Sequence, residues 1–259
     1  MNAVLLESAA APGIVRLTLN RPQARNALDA ALIAALGAAI ARHGARDATR
    51  VVLLDASGSA FCAGADLAAM RALGRAPPAE NLADARRLAD LLAAIRACPK
   101  PSIACVQGAA FGGGVGLVAA CDVAIGAAEA RFRMPEVRLG IVPAVISPYL
   151  IEAIGARAAR GYFLSGEILD AARARELGLL HEVVARDALA PRALAIAGEI
   201  AQGGPAALTA AKELVAEAGH RDADRAARTA AILAGLRAGA EAQEGLAAAI
   251  ERRSPAWSR

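Results

Sequence analysis

Apolar residues along this chain follow two periods. Ile14-Val15-Arg16-Leu17-Thr18-Leu19 alternates like a half-buried strand, while Val51–Leu54 and Ser102–Val106 are continuous apolar runs of the kind a parallel sheet buries on both faces. Asp122–Ile125 and Glu182–Val184 predict two further short strands. Between these runs the period lengthens. Alanine- and leucine-rich stretches predict a helix from Asn26 or Asp29 to about His43, one ending near Cys98-Pro99, and segments at Ile146–Ile154, Arg157–Leu164 and Ala171–Leu177. From Ala188 to Arg253 the pattern is helix after helix, broken at Gly203-Gly204-Pro205. Strands alternating with helices predict an α/β fold with a mostly parallel sheet. The break suggests a core over residues 1–200 and a helical region over 201–259.

One junction carries candidate chemistry. Val106–Asp122, VQGAAFGGGVGLVAACD, runs from a buried strand through Gly112, Gly113 and Gly114 into a stretch that can be helical. Glycines there let the backbone approach a ligand closely. The first turn of a helix offers unpaired N–H groups to a phosphate or a developing oxyanion. A phosphate loop needs a Lys-Ser/Thr pair after the glycines, which is absent. A dinucleotide fingerprint needs a glycine at the position held by Leu117. The oxyanion reading survives, against the plainer one that the glycines serve close helix packing.

Composition narrows the class. Apolar residues make up 56% of 259 and aromatics 3%, which favours helix and argues against stacking surfaces for nucleic acid. The formal charge is +4, spread as single arginines among acidic residues, which reads as a mixed surface and suits an anionic small molecule. Cys62, Cys98, Cys105 and Cys121 form no CxxC pair and have no histidine at ligand spacing, so buried thiols are expected rather than disulfides or a metal. No signal-peptide pattern appears, and no apolar run reaches the roughly 18 residues of a membrane span. A soluble, cytoplasmic protein is expected. A serine hydrolase is not: Ser57, Ser59 and Ser165 lie outside a GxSxG elbow, and His43, His181 and His220 have no evident partner.

FCAGADL at 61–67, AAFGGGVGL at 109–117, MPEVRLGIVP at 134–143 and EGLAAAIERRSPAW at 244–257 stand in series, with RPQARNAL before them and SGEILDAARARELGLLHEVV in the later third. Together they resemble the crotonase superfamily of enoyl-CoA hydratases and isomerases over essentially the whole chain. VRLGIVPAVISPYLIEAIG and GGGVGL look most like the bacterial methylglutaconyl-CoA and isohexenylglutaconyl-CoA hydratase branch.

The resemblance implies a spiral of strand-strand-helix turns with a C-terminal helical trimerisation region, assembled as a homotrimer or a hexamer of paired trimers. It implies an acyl-CoA substrate and no separate cofactor, metal, nucleic acid or membrane partner. Its oxyanion hole falls on the backbone N–H groups of Ala65 and Gly113. Ala63, Asp66, Leu67 and Ala68 fall where the family holds coenzyme A, with Gly112 in the turn, Arg25 and Ala27 toward the nucleotide and Lys212 toward its phosphates. Glu136 falls on the family's catalytic glutamate. On residues alone it is a charge in what should be a buried apolar segment, and the plain reading is a cap or a partner of Arg133 or Arg138. Two-glutamate hydratases carry their other glutamate at the position of Gly116, where a missing side chain would leave room for a branched or carboxylated acyl group. Three readings follow: a hydratase using Glu136, a Δ3,Δ2-enoyl-CoA isomerase using the same residue, and a non-catalytic acyl-CoA binder.

Overall fold

The structure is a computed structural model that describes residues 3–218, 231–233, 235, 239–251 and 253–258. The helix expected across 219–230 therefore lies outside the described residues, as does His220.

Nine strands form two sheets among the described residues. The larger contains β1 (Leu5–Ala11), β2 (Ile14–Leu19), β3 (Val51–Ala56), β4 (Ser102–Val106), β6 (Val123–Ala127) and β9 (Glu182–Val184), in that order across the sheet. Within this sheet only the β1–β2 hairpin is antiparallel. The smaller sheet orders β5 (Ala109–Phe111), β7 (Arg131–Arg133) and β8 (Ile168–Asp170). After β1 to β4, all in the large sheet, the chain passes back and forth between the two. β4 lies in the large sheet, β5 in the small one, and a helix returns to β6 in the large one. Each circuit is one turn of a spiral of strand, strand and helix.

The helices follow their sequence cues. In α1 (Ala30–Gly44), Asp29 is the cap: its carboxylate accepts from the Leu32 amide at 2.8 Å. Leu32, Ile33, Leu36, Ala39 and Ile40 form one buried stripe facing the sheet. Each leucine so buried contributes on the order of 1.5–3 kcal/mol. α2 (Leu67–Leu73) is short, α3 (Pro78–Ala97) packs on α1, and α4 (Gly113–Ala120) is buried almost all round. α5 (Ser147–Ser165), α6 (Ala171–Leu177), α7 (Leu189–Ile200) and α8 (Pro205–Ala218) complete this part, with Ala240–Glu251 near the end. One apolar core lies between the large sheet, the small sheet and α1, α3 to α6; α7 covers the opposite face of the large sheet against Val51, Leu53, Ile103 and Ile125.

Several expectations are corrected. Asn26 does not start a helix; it is fully buried, with positive φ, in the segment before α1. The two helical segments expected at 146–154 and 157–164, by contrast, are both present within Ser147–Ser165, parted at Gly155, whose φ of 76° and ψ of 153° are not helical. β1, β5, β7 and β8 were not anticipated. β1 is a largely exposed edge without clean alternation, and β5 is only 3 residues long beside the glycines.

Candidate active site

The glycine turn does not lead straight from strand to helix. β4 ends at Val106, the chain enters β5 in the small sheet, and Gly112 then opens α4. Gly112 has φ 48° and ψ −119°, a backbone shape that L side chains avoid. Gly114 is fixed by contact: a Cβ there would lie 2.5 Å from the Cys62 carbonyl oxygen. The helix therefore begins directly against the Cys62–Ala65 loop.

That loop is held from both sides. Cys62 N–H donates to Ala109 O at 3.0 Å and Phe111 N–H to Cys62 O at 2.9 Å. From the other side, Ala63 N–H donates to Arg25 O at 2.9 Å, Leu28 N–H to Gly64 O at 2.8 Å and Asp66 N–H to Leu28 O at 3.3 Å. Asn26 locks the Arg25–Leu28 segment. Its Nδ2 donates to the carbonyls of Ser57 and Ala60, both at 2.9 Å, and its Oδ1 accepts from Arg21 N–H at 2.7 Å. Asn26 is the positioning residue missed in the sequence. Its only signal was an amide side chain between Arg25 and an apolar pair, and a cap explains that equally well.

Two amides remain. Among the described residues, Ala65 N–H has no backbone acceptor. Gly113 N–H opens α4, where no intrahelical acceptor exists. The two strands of backbone are close: the Gly64 and Gly112 Cα atoms come within contact distance of each other's would-be side chains, at 3.8 and 4.0 Å.

Glu136 completes the cluster. It begins a 3-10 turn, Glu136–Leu139, after Pro135. Its Oε1 lies 3.0 Å from where a Cβ on Gly112 would sit. Its Oε2 is buried without any hydrogen-bond partner. Burial pushes its carboxyl above the usual carboxylate range, opposed only by its own backbone amide. The plain reading fails. Arg133 Nε donates to Gly166 O at 2.7 Å, and Arg138 Nε and Nη2 donate to Ser165 O at 3.1 and 2.9 Å. Neither arginine is spent on Glu136. The segment after Glu136 is not buried as expected: Leu139, Ile141 and Val142 are exposed apolar residues beside it.

The site has a common register. Cys62 pairs with Ala110, and Ala110 with Phe132, across neighbouring positions of the small sheet. Ala65, Gly113 and Glu136 each follow that row by three or four residues. The spiral thus delivers two amides and one carboxylate to the same edge.

The other candidates are distributed around it. Ala27 is buried and Arg25 exposed beside the loop, with Ala63 half-buried. Asp66 caps α2, accepting from the Ala68 and Ala69 amides at 3.0 and 3.1 Å, and leaves Leu67 and Ala68 exposed at the helix start. Gly116 does not face open space. A Cβ there would lie 2.5 Å from Ile146 Cγ2 and 3.1 Å from Leu92 Cδ1, so the room expected for an acyl group is filled by two apolar side chains. Lys212 is not with the cluster. It lies at the other end of α4, where Nζ contacts Asp122 Oδ2 at 2.6 Å.

Among the described residues, the cysteines and histidines show no competing chemistry. The four cysteines are free and buried, and burial raises the Cys62 and Cys121 thiols to about 12, leaving them protonated and inert at neutral pH. His43 does have partners: Nε2 lies 2.9 Å from Glu7 Oε2 and Nδ1 3.2 Å from Thr49 Oγ1, a buried tie between β1 and α1. His181 Nδ1 accepts from Ala124 N–H at 3.1 Å. Among the described residues no cluster of side chains suits a metal ion, and no helix is long and apolar enough to cross a membrane.

The two alternating sheets, with α4 starting against the Cys62–Ala65 loop, make this a crotonase-type spiral. A family profile described as Enoyl-CoA hydratase/isomerase matches residues 9–259, and the chain belongs to that family. A crystal structure of an enoyl-CoA hydratase from Shewanella pealeana superposes with a TM-score of 0.94 at 37% identity, covering 98% of this chain and 96% of that one. One from Mycobacterium smegmatis gives 0.93 at 36% identity, with both chains covered in full. The 2,3-dehydroadipyl-CoA hydratase of Escherichia coli is 34% identical over 93% of this chain and 94% of its own length.

Proposed function

We propose that this protein hydrates an enoyl-CoA thioester across its 2,3 double bond. The observation that carries this is the buried carboxylate of Glu136, its Oε2 without a hydrogen-bond partner, packed against Gly112, at the opening of α4 and beside the Gly64-Ala65 loop. In this reading the Ala65 and Gly113 amides hold the thioester oxygen and stabilise the charge it gains as an enolate. Glu136 takes a proton from water as the oxygen adds to C3 and returns a proton to C2. Arg25, Ala27, Ala63, Asp66, Leu67 and Ala68 would line the path of coenzyme A, which arrives as part of the substrate; no other cofactor is needed. A methylglutaconyl-type or other carboxylated acyl group fits the name of the Escherichia coli relative, whose substrate carries a second carboxyl. Exposed apolar residues in the C-terminal part, among them Leu233, Leu246 and Ile250, suit burial against further copies, as a homotrimer or a hexamer. In this reading residues 201–259 form the assembling region and 1–200 the core with the CoA and acyl site.

The isomerase reading has one observation of its own. Ile146 and Leu92 fill the space beside Gly116, so no second carboxylate stands at that position. A single base moving a proton between C2 and C4 of a 3-enoyl thioester needs no more.

The test is a panel of straight, branched and carboxylated 2-enoyl-CoA thioesters, followed by loss of the conjugated enone absorbance. Hydration removes it. Gain of absorbance from 3-enoyl-CoA, without loss from any 2-enoyl-CoA, would give the reaction to an isomerase. Tight acyl-CoA binding with neither change would leave only a binder. Gly113→Pro removes one amide donor and should lower kcat by about 10²–10³ while CoA affinity is kept. Equal loss of rate and nucleotide affinity in a folded variant would show that the turn only cradles the ligand.

A further inference from the structure

The segment from Ser102 to Asp122 is a closed unit. It contains β4, β5, the glycine turn and α4, and its two ends are joined directly. Asp122 Oδ2 accepts from Ser102 N–H and Ser102 Oγ, both at 2.8 Å, and Asp122 N–H donates back to Ser102 Oγ at 3.1 Å. Gly113 lies at the far end of α4 from this knot.

A third group enters from outside the unit. Lys212 of α8 donates to the same Oδ2 at 2.6 Å and to Lys100 O at 3.2 Å. One turn earlier on α8, Thr209 Oγ1 donates to Pro99 O at 3.0 Å. The Lys212 and Asp122 side chains are only 15% and 20% exposed, so removing one partner would leave the other charge partly buried and unpaired. α8 is therefore fastened to the base of β4 and, through Asp122, to the C-terminal end of α4.

We propose that Lys212 is a positioning residue: through Asp122 it fixes α4 along its axis, and so sets where the Gly113 N–H stands relative to Ala65 and Glu136. This rests on the enoyl-CoA reading for its kinetic consequence, though not for its structural one. α4 is a buried rod of 8 residues whose glycine end packs directly on the Cys62–Ala65 loop, so a small axial shift of the rod would change that contact and carry Gly113 with it. Its other end is held by the Asp122 knot and, through it, by Lys212. A displacement of about 1 Å at a reacting centre can reduce rates on the order of 10²-fold. Lys212 thereby links the helices that precede the C-terminus to the geometry of the turn.

The experiment compares K212M with wild type and with K212R, which still donates to Asp122. Steady-state kinetics well below either melting temperature use matched CoA and pantetheine thioesters. Hydrogen exchange of the Gly114–Val118 amides in the free protein is read in parallel. K212M should lower kcat by about tenfold or more with KM within about twofold, equally for both thioesters, and K212R should recover most of it. Exchange in α4 should quicken in K212M alone. A rise in KM confined to the CoA thioester would instead make Lys212 a phosphate ligand. A lower melting temperature with unchanged kcat and unchanged α4 exchange would make the pair an ordinary structural tie. Either result overturns the proposal. If wild type turns over no thioester, the enoyl-CoA reading fails by itself and the exchange comparison still decides this one.

Discussion

Glu136→Gln folds, binds acyl-CoA and loses turnover by about 10²–10⁴-fold, the range that a positioned acid–base group supplies. The carboxylate has no protein partner on Oε2, so the substitution breaks no hydrogen bond there. Its thermal behaviour has a definite sign. Burial raises the folded-state pKa of Glu136 above its unfolded value. Stability associated with its neutral form is therefore complete below the unfolded pKa and lost as pH rises through the folded one. Glutamine keeps the neutral form at every pH. The variant should melt at or slightly above wild type at neutral pH, and the two should converge in acid. The rate follows the opposite limb: wild-type turnover needs the ionised carboxylate and should fall, on acidification, at a pH above the ordinary glutamate range. Turnover of the variant within about threefold of wild type would remove Glu136 from the mechanism.

Gly116→Glu is expected to cripple folding rather than change the reaction. The new Cβ alone would stand 2.5 Å from Ile146 Cγ2, in a helix whose every neighbour is packed. Overpacking of this kind costs about 1–3 kcal/mol. The carboxylate adds an unpaired charge beside Ile146 and Leu92, worth several kcal/mol more unless it stays protonated. At about 2–4 °C per kcal/mol for a chain of this size, the melting temperature should drop by roughly 10 °C or more. Ile146→Ala in the same chain should recover part of that loss. A well-folded single variant, melting within about 2 °C of wild type, would show that the Ile146 side chain swings away and that the space can be opened.

Much of this arrangement was legible from residues. The apolar runs of β2, β3 and β4 appear where their periodicity puts them, because strands buried on one or both faces need those patterns whatever surrounds them. Glu136 stood out for a physical reason, a carboxylate between Pro135 and an apolar stretch. Its surroundings did not. Whether Arg133 and Arg138 pair with it depends on the carbonyls of Ser165 and Gly166, which arrive from the end of α5. Gly116 was misread for a similar cause. Helical spacing from Gly113 gives a direction, but the occupant of that direction, Ile146, comes from a loop 30 residues away in sequence. β5 was hidden because a strand of 3 residues at a glycine turn has no period of its own. Local chemistry is written locally; what fills the space opposite is not.

The shared row Cys62, Ala110 and Phe132 bears on which length changes the chain can absorb. The two amides and the carboxylate are counted off from that row, so one residue inserted between Cys62 and Ala65, or between Phe132 and Glu136, would rotate a reacting group out of place. No such count governs the Gly74–Pro78 connection, which joins α2 to α3 after the counting is done. Segments of that kind can lengthen, shorten or change composition without moving Ala65, Gly113 or Glu136 relative to that row. On the proposed reaction, one spiral can therefore vary at its connections while the two amides and the carboxylate keep their places.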